Sequence, residues 1–216
     1  ILSRIISSFH NDKGELLIEG LTPTEQDVFE LSDEFVKSSL SSTGVSLFEM
    51  DSYSKRLWLE PALSILAIDA PPVAESVNLL IPKAKAKVSL RLPPTEDPDH
   101  AMNMLEQHIN KNTPFNANVE FIPEAKGKGI LVDPKNEFSS KLIESFNKHW
   151  ENEVAYMGVG GSIPFANVFI NEFPNSEIVL VGAGDEEGNA HAPNESVNIS
   201  DIQRLIDSLT DAISNY

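Results

Sequence analysis

Apolar residues recur at helical spacing in six stretches of the chain. The first stretch starts at once, because Ile1, Leu2, Ile5, Ile6 and Phe9 fall on one helical face. A chain that does not begin with Met and is periodic from its first residue is expected to be a portion of something longer. The predicted helices cover residues 1–10, 23–36, 95–110, 137–150, 163 onward and 200–213.

Alternation of apolar and polar residues is clearest between residues 84 and 92. Ala84, Ala86, Val88 and Leu90 face one way, while lysines, a serine and an arginine face the other. This pattern predicts an antiparallel strand with one buried face. Short apolar runs predict five more strands, at residues 16–18, 62–68, 117–122, 153–156 and 178–181.

The order of these elements predicts two domains of different class. Residues 1–126 suggest an α+β ferredoxin-like layer, whose first strand would precede residue 1 and which carries a helical insertion at about 22–60. The lysine–glycine segment 126–129 is the best boundary. Residues 127–216 alternate helices with short apolar strands, which is typical of α/β folds. Two or three strands are too few for a buried parallel sheet, so this region is expected to be half of a domain.

Composition and charge exclude several classes of partner, but they say little about the fold. A hydrophobic content of 41% and a charged content of 23% are those of an ordinary soluble globular protein, which favours a buried core. The formal net charge of −17 argues against a nucleic-acid partner and against an anionic membrane surface. No run reaches the roughly 18 apolar residues of a membrane span. The absence of cysteine excludes disulfides and thiolate chemistry, and it fits a reducing compartment.

The glycine turn, residues 158–165, is one of two candidate sites. It lies between a predicted strand and a predicted helix, and the free backbone N–H groups at a helix start can bind a carboxylate or an oxyanion. Gly160, Gly161 and Ser162 form its centre. The turn is not a nucleophile elbow, because Pro164 stands where the last glycine of that motif belongs. A plain strand-to-helix turn and an anion-binding turn both stay open.

His191 is the second candidate, because it lies in a loop that has neither helical nor strand periodicity. Such a histidine can be a metal ligand, a proton carrier or simply a turn-stabilising residue. The acidic residues 185–187 precede it as possible co-ligands, although an acidic loop is usually just solvated. A catalytic zinc needs about three protein ligands, and no motif here supplies the others. The other four histidines lie on or beside predicted helices and are expected at the surface, whereas Arg91 can be either a surface arginine or a substrate clamp.

Taken in order, these segments resemble one known pattern. Asn78 to Arg91, then Gly160-Gly161-Ser162-Ile163-Pro164, then Ala190-His191-Ala192-Pro193-Asn194-Glu195 resemble the di-zinc metallopeptidase family of carnosinases, aminoacylases and succinyl-diaminopimelate desuccinylases. The segment Arg56-Leu57-Trp58 with Pro61 resembles its dipeptidase branch in particular. The resemblance covers nearly the whole chain.

This resemblance implies a lid or dimerisation domain in residues 1–126 and the C-terminal half of a zinc-aminopeptidase-like catalytic domain in residues 127–216. It implies that His191 is a ligand of one of two zinc ions, and that the substrate is a dipeptide or an acyl amino acid. The substrate-binding residues would be Asn78, which reaches the active site of the partner in a homodimer, Arg91, which pairs with the substrate carboxylate, and Gly160, Gly161 and Ser162, which meet the substrate backbone or carboxylate.

The chain also departs from the family pattern. The remaining zinc ligands, the general-base glutamate and a lid histidine have no counterpart here, and many relatives carry arginine where Gly158 stands. The resemblance therefore implies the C-terminal portion of a cytoplasmic zinc dipeptidase, with no catalytic residue in these 216 residues and no hydrolysis by them alone. The alternatives are a non-catalytic dimerisation or ligand-binding module and an amidohydrolase of N-acyl amino acids.

Overall fold

The structure, a computed structural model, describes residues 1–40, 44, 51–131, 135–158, 164–185 and 188–216. Seven α-helices and two β-strands form in these residues, with short 3₁₀ turns at Val73–Glu75 and Pro114–Asn116. In chain order they are α1 (Leu2–Ser7), α2 (Asp33–Leu40), α3 (Tyr53–Trp58), β1 (Ala62–Asp69), β2 (Lys85–Arg91), α4 (Pro98–Asn112), α5 (Glu137–His149), α6 (Pro164–Glu172) and α7 (Ile199–Ser214).

The chain divides into two compact units. The first unit comprises Ile1–Gly129 together with Met157–Pro164, and the second comprises Ile130–Tyr156 together with Phe165–Tyr216. None of the helices in the described ranges is both long and apolar enough to span a membrane.

The core of the first unit lies where α1 and α4 pack against the β1–β2 hairpin. Aliphatic side chains and one phenylalanine from four segments meet there and lose nearly all contact with solvent, which is the main stabilising contribution to such a fold. Phe9 is the most completely buried of them, with 1% of its surface exposed. The cluster consists of Ile5, Phe9, Ile18, Leu63, Leu105 and Ile109.

The hairpin confirms the alternation predicted for its second strand. β1 and β2 pair antiparallel from Ala62 with Arg91 to Asp69 with Lys85, and successive β2 residues alternate between exposed and half-buried. The register shifts between Ile65 and Ala67, so that Leu66 is an extra residue on β1. Such a bulge bends the strand and increases its twist. Beyond it, the hairpin arm (residues 70–84) is exposed along its whole length.

The second unit is organised around α5 and α7. Leu142 and Ala212 are the buried apolar residues of this pair, and Ser139, Ser145 and Ser208 are buried with them. Polar contacts therefore supply much of the interface. They comprise the bond from Ser145 Oγ to the Ser208 carbonyl at 2.8 Å, the bond from Trp150 Nε1 to Ser208 Oγ at 3.2 Å, and the ion pair between Lys148 and Asp211 at 3.0 Å.

The N-terminus of α5 is capped from a distant part of the chain. Asn136 occupies the cap position without making a side-chain hydrogen bond there. The carboxylate of Glu177 instead accepts hydrogen bonds from the N–H groups of Phe138 and Ser139, at 3.1 and 3.0 Å. Burial acts to raise the pKa of Glu177, but these hydrogen bonds outweigh it and hold the pKa below its ordinary value.

Several short strands were predicted wrongly. Residues 117–122, 153–156 and 178–181 form no strand, and the run at 16–18 contributes only an isolated bridge between His10 and Leu16. Short apolar runs mark burial as much as strand pairing, and Val119 and Phe121 do pack against the core of the first unit. The predicted helix over 23–36 is likewise wrong at its start, because helical structure begins only at Asp33.

Candidate functional site

The histidine loop, residues 188–196, is closed by backbone hydrogen bonds. The Gly188 N–H donates to the Asp185 carbonyl at 3.2 Å, and the Ser196 N–H donates back to the Gly188 carbonyl at 2.9 Å. Gly188 is buried, and a Cβ added there would lie 3.1 Å from the Ser196 carbonyl oxygen. A side chain at this position would require the carbonyl groups of Ser196 and Asp185 to shift by a few tenths of an ångström.

Three side-chain-bearing residues of this loop adopt left-handed backbone conformations. Their φ angles are 49° at Asn189, 63° at His191 and 64° at Asn194. Asparagine and histidine tolerate this region better than most residues, but the conformation still costs free energy. The loop thus holds an exposed imidazole in a defined and unfavourable backbone geometry, which is a common property of functional loops.

The centre of the glycine turn, Gly160, Gly161 and Ser162, lies outside the described residues. The turn is described on both sides, by Gly158 and by the start of α6 at Pro164. Gly158 is half-buried against Trp58, and a Cβ added at Gly158 would lie 2.5 Å from the Cβ and Cγ atoms of Trp58. Since the φ angle of Gly158 is not left-handed, the contact with the indole, rather than the backbone conformation, requires glycine here.

Arg91 and Asn78 both lie in the first unit, at opposite ends of the hairpin. Arg91 is the last residue of β2, where its side chain is exposed and has no ion-pair partner among the described residues. Asn78 lies in the hairpin arm and is also exposed. The six residue steps from Lys85 to Arg91 span about 20 Å at the rise of an extended strand. Asn78 belongs to the hairpin arm beyond the far end of this strand, whereas His191 belongs to the second unit.

A catalytic zinc site was tested against the donor groups that the structure describes. In the described ranges, no three histidine, aspartate or glutamate side chains come together in a group that could hold a metal ion. A catalytic zinc needs about three protein ligands and an open position. His191 and the described residues around it therefore do not fit a complete zinc site by themselves.

His108 corrects the expectation that the remaining histidines lie at the surface. Only 8% of its surface is exposed, and its ring stacks on Phe9 with 5.4 Å between the ring centroids. Its Nε2 atom lies 3.0 Å from both the carbonyl and the hydroxyl oxygen of Ser8. It is a structural histidine that joins α4 to α1. Its position on the same helical face as Leu105 and Ile109 was the signal that sequence analysis missed.

A second omission is Trp58, which was noted in the sequence but given no role. Its side chain lies against the backbone at one edge of the glycine turn. Pattern analysis had no means to find this contact, because 100 residues separate Trp58 from Gly158.

Comparison with known proteins gives a consistent result. The chain is 28% identical over 214 residues to the cysteinylglycine-S-conjugate dipeptidase of Corynebacterium striatum, an alignment that covers 94% of this chain and 46% of the relative. The chain thus spans about half the length of the curated relative that it matches.

Solved structures show the same half-length match. An M20 family metallo-carboxypeptidase from Sulfolobus solfataricus aligns with a TM-score of 0.73 at 23% identity, over 98% of this chain and 51% of its own. Human carnosine dipeptidase 1 aligns with a TM-score of 0.76 at 18% identity, over 100% of this chain and 49% of its own. The dipeptidase Dug1p from Saccharomyces cerevisiae aligns with a TM-score of 0.70 at 20% identity, over 98% of this chain and 47% of its own.

These matches confirm the predicted fold class, a mixed helix-and-strand fold with a small antiparallel sheet that is similar to one half of such peptidases. They also confirm the resemblance found in the sequence. Residues 1–117 match the family described as "Peptidase dimerisation domain", which is more than half of the chain. The chain therefore belongs to the M20 family of peptidases.

Proposed function

We propose that these 216 residues form the dimerisation domain and the substrate-binding part of a cytoplasmic, zinc-dependent dipeptidase. The observation that carries this proposal is the alignment of 94% of the chain with a cysteinylglycine-S-conjugate dipeptidase. The proposed reaction is hydrolysis of the amide bond of a dipeptide. The domain division proposed for this function is residues 1–126 and 127–216.

Within this proposal, the chain supplies groups that bind and orient the substrate. The backbone N–H groups of Gly160 and Gly161, with Ser162, would receive the substrate backbone or its carboxylate, and Arg91 would pair with that carboxylate. The exposed guanidinium of Arg91, which has no ion-pair partner in the described part of the chain, supports this role. An arginine can bind a carboxylate through two parallel hydrogen bonds, which also fixes its orientation.

The proposed zinc is assigned one ligand from this chain, His191. The exposed side chain and the left-handed backbone of His191 support the assignment. Since the described residues do not form a three-ligand group, the 216 residues alone are proposed to be inactive. The general base and the other zinc ligands are proposed to come from a region equivalent to the half of the relatives that these 216 residues do not match.

A homodimer is proposed through the first unit, and the hairpin arm supports it. Val73, Leu79 and Leu80 are 91%, 81% and 98% exposed. Exposed apolar side chains grouped in one segment are typical of protein interaction sites. The length of β2 also supports the role of Asn78, because the hairpin arm lies beyond Lys85, about 20 Å along the strand from Arg91, and is better placed to serve a partner's site than its own.

The direct experiment compares two preparations: the 216-residue chain and the product of the complete reading frame that encodes it. Both are supplied with zinc and assayed with S-methylcysteinylglycine and with an N-acetyl amino acid. We expect the longer product to cleave the dipeptide and to lose this activity when a chelator is added. We expect the 216-residue chain to cleave neither substrate. Cleavage by the 216-residue chain would contradict its proposed inactivity.

The same experiment separates the alternatives. Preferential cleavage of the N-acetyl amino acid would favour an amidohydrolase. Ligand binding without any cleavage by the complete product would favour a non-catalytic module.

The role of His191 is tested by His191→Asn in the complete product. Asparagine tolerates the left-handed backbone, so this change removes the imidazole while preserving the loop. We expect zinc content and activity to fall together, activity by at least about 100-fold, while the dimer persists. The matched control is Asn194→Gly in the same loop, which also keeps the left-handed backbone and should retain zinc. Unchanged zinc content in His191→Asn, measured by atomic absorption, would contradict the assignment.

A further inference from the structure

The end of β2 is fixed by the turn that follows it. Arg91 is the last residue of the strand, and Leu92 leads from it into two successive prolines. Pro93 is fully buried, and its carbonyl accepts the Glu96 N–H at 3.1 Å. A proline has a fixed φ angle and restricts the residue before it, so the path from Leu92 to Pro94 has little conformational freedom. The backbone of Arg91 is therefore coupled stiffly to the position of Pro94.

The helical insertion holds this turn from one side. Thr24 is buried, and its hydroxyl oxygen accepts the Thr95 N–H at 3.3 Å and lies 2.7 Å from the Thr95 hydroxyl oxygen. The Thr24 N–H donates to the carbonyl of the buried Leu59 at 2.8 Å. The residue that directly follows Pro94 is thus bound to a buried part of the first unit.

The connector, residues 117–129, approaches the same turn from another part of the chain. It has no regular secondary structure, and it ends where the first segment of the first unit ends. Its side chains make apolar contacts with the core and ion pairs with exposed residues of the unit. These contacts are those of Val119 and Phe121 with the core, of Glu124 with Lys87 at 2.5 Å, and of Lys126 with Asp99. Exposed ion pairs contribute little free energy, so a closer contact is needed to fix the end of the connector.

Gly129, the last residue of the connector, makes that contact with Pro94. A Cβ added at Gly129 would lie 2.6 Å from the Cα atom of Pro94 and 3.2 Å from its carbonyl oxygen. These are backbone atoms between the buried Pro93 and the bound Thr95, so they cannot yield as the end of a flexible side chain would. Since the φ angle of Gly129 is not left-handed, the contact, rather than the backbone conformation, requires glycine here.

We propose that Gly129 is a positioning residue for Arg91, which supports the turn after β2 through its close contact with Pro94. This inference rests on the proposed function, because it takes Arg91 as the group that pairs with the substrate carboxylate. The pairing of an arginine with a carboxylate through two hydrogen bonds depends on direction as well as distance, so a small displacement of the strand end weakens it. The connector thus takes part in substrate recognition without touching the substrate.

The test uses the complete enzyme with S-methylcysteinylglycine as substrate. Gly129→Ala should raise KM about tenfold and leave kcat within about twofold, because the new methyl group separates the connector from Pro94 and the turn after Arg91 loses this support. Gly182→Ala is the matched control, because Gly182 is exposed and a Cβ added there has no described atom within 4 Å. It should leave both constants within about twofold of the wild type.

Arg91→Ala decides whether the effect passes through Arg91. That change alone should raise KM at least about 30-fold, because a charge-assisted pair is lost. In the Arg91→Ala background, Gly129→Ala should change KM by less than about twofold, because the group that it misplaces is gone. Thr24→Val keeps the side-chain shape but removes the bond to Thr95, and it should raise KM about threefold only when Arg91 is present. Thr24→Val decides the test if Gly129→Ala does not fold.

A purely structural role gives a different result. Loss of folded enzyme lowers the apparent kcat in proportion and leaves KM unchanged, so that pattern in the deciding variant would overturn the inference. An increase in KM by the same factor with and without Arg91 would also overturn it. A wild-type enzyme that cleaves no dipeptide, or Arg91→Ala with a wild-type KM, would overturn the proposed function and this inference together. An active wild type whose KM depends on Arg91 but not on Gly129 overturns the inference alone.

Discussion

The two units of the chain are stabilised in different ways. The first unit buries a cluster of six apolar residues from α1, the β1–β2 hairpin, α4 and the segment between α1 and α2. In the second unit, the α5–α7 pair buries three serines but only Leu142 and Ala212 among apolar residues. Its described contacts are dominated by hydrogen bonds and by the ion pair of Lys148 with Asp211.

The apolar residues of the second unit lie largely on its surface. Phe165, Phe169 and Phe173 form a continuous row of aromatic rings along and just beyond α6, and they are 70%, 42% and 55% exposed. Ile199 and Ile213, near the ends of α7, are 81% and 65% exposed. A row of three partly exposed aromatic rings is apolar surface of the kind that often marks an interaction site. The comparison teaches that both units expose apolar side chains, and that the first differs in also enclosing a cluster of six buried apolar residues.

The largest expected effect is on the core of the first unit. Phe9→Ala should lower the free energy of unfolding of this unit by about 3–5 kcal/mol, because it opens a cavity and removes the ring on which His108 stacks. The measurement is urea denaturation followed by circular dichroism. Phe115→Ala is the matched control, because Phe115 is 80% exposed and its loss, which removes the contact of its ring with the Arg4 guanidinium, should change stability by less than about 1 kcal/mol. Equal effects of the two changes would contradict the assigned core.

An intermediate effect is expected at the polar interface of the second unit. Ser208→Ala leaves the indole N–H of Trp150 without its acceptor and should cost about 1–2 kcal/mol. Trp150 fluorescence should report the loss first. Thr210→Ala is the control, since its hydroxyl bonds only to the preceding turn of α7, at the Ile206 carbonyl, and no second helix depends on it. If Ser208→Ala were as mild as the control, the polar contacts would not be what holds α5 to α7.

The smallest effect concerns pH. The hydrogen bond from Lys148, together with the lysine's charge, holds the pKa of Asp211 below its ordinary value of about 3.9, despite partial desolvation. The folded protein therefore binds this proton less readily than the unfolded chain, so the stabilisation exists above about pH 4 and is lost as the pH falls through the lowered pKa. Melting temperatures between pH 6 and pH 3 should fall less steeply in Asp211→Asn than in the wild type. Parallel curves for the two proteins would show that Asp211 does not contribute to the pH dependence of stability.

Prediction from sequence succeeded where one element carries its own signal. Helices α4, α5 and α7 were found within about three residues at each end, because each combines an apolar stripe with recognisable start and stop residues. The alternation of β2 was sufficient for the same reason. The strands predicted at 117–122 and 178–181 failed because a strand also needs a partner, and a short apolar run does not specify one.

The same distinction between local and long-range signals applies to the candidate site. His191 could be singled out from its loop, and the left-handed backbone there agrees with a specialised position. The contact between Trp58 and Gly158 could not be predicted, because it depends on the tertiary fold that brings together two residues 100 positions apart in sequence. The roles of Asn78, Arg91 and His191, and those of Gly160, Gly161 and Ser162, stay predictions.

The cap of α5 has a consequence for the order in which the protein is made. Helix α5 is complete in sequence at His149, but the carboxylate that satisfies its first N–H groups belongs to Glu177. During synthesis, the chain emerges from the ribosome from its N-terminus, so α5 is exposed without its cap until residue 177 follows. The cap of this helix therefore comes from a segment that has no regular secondary structure. In a nascent chain that stalls before Glu177, the first N–H groups of α5 have no carboxylate acceptor and its first turn is frayed.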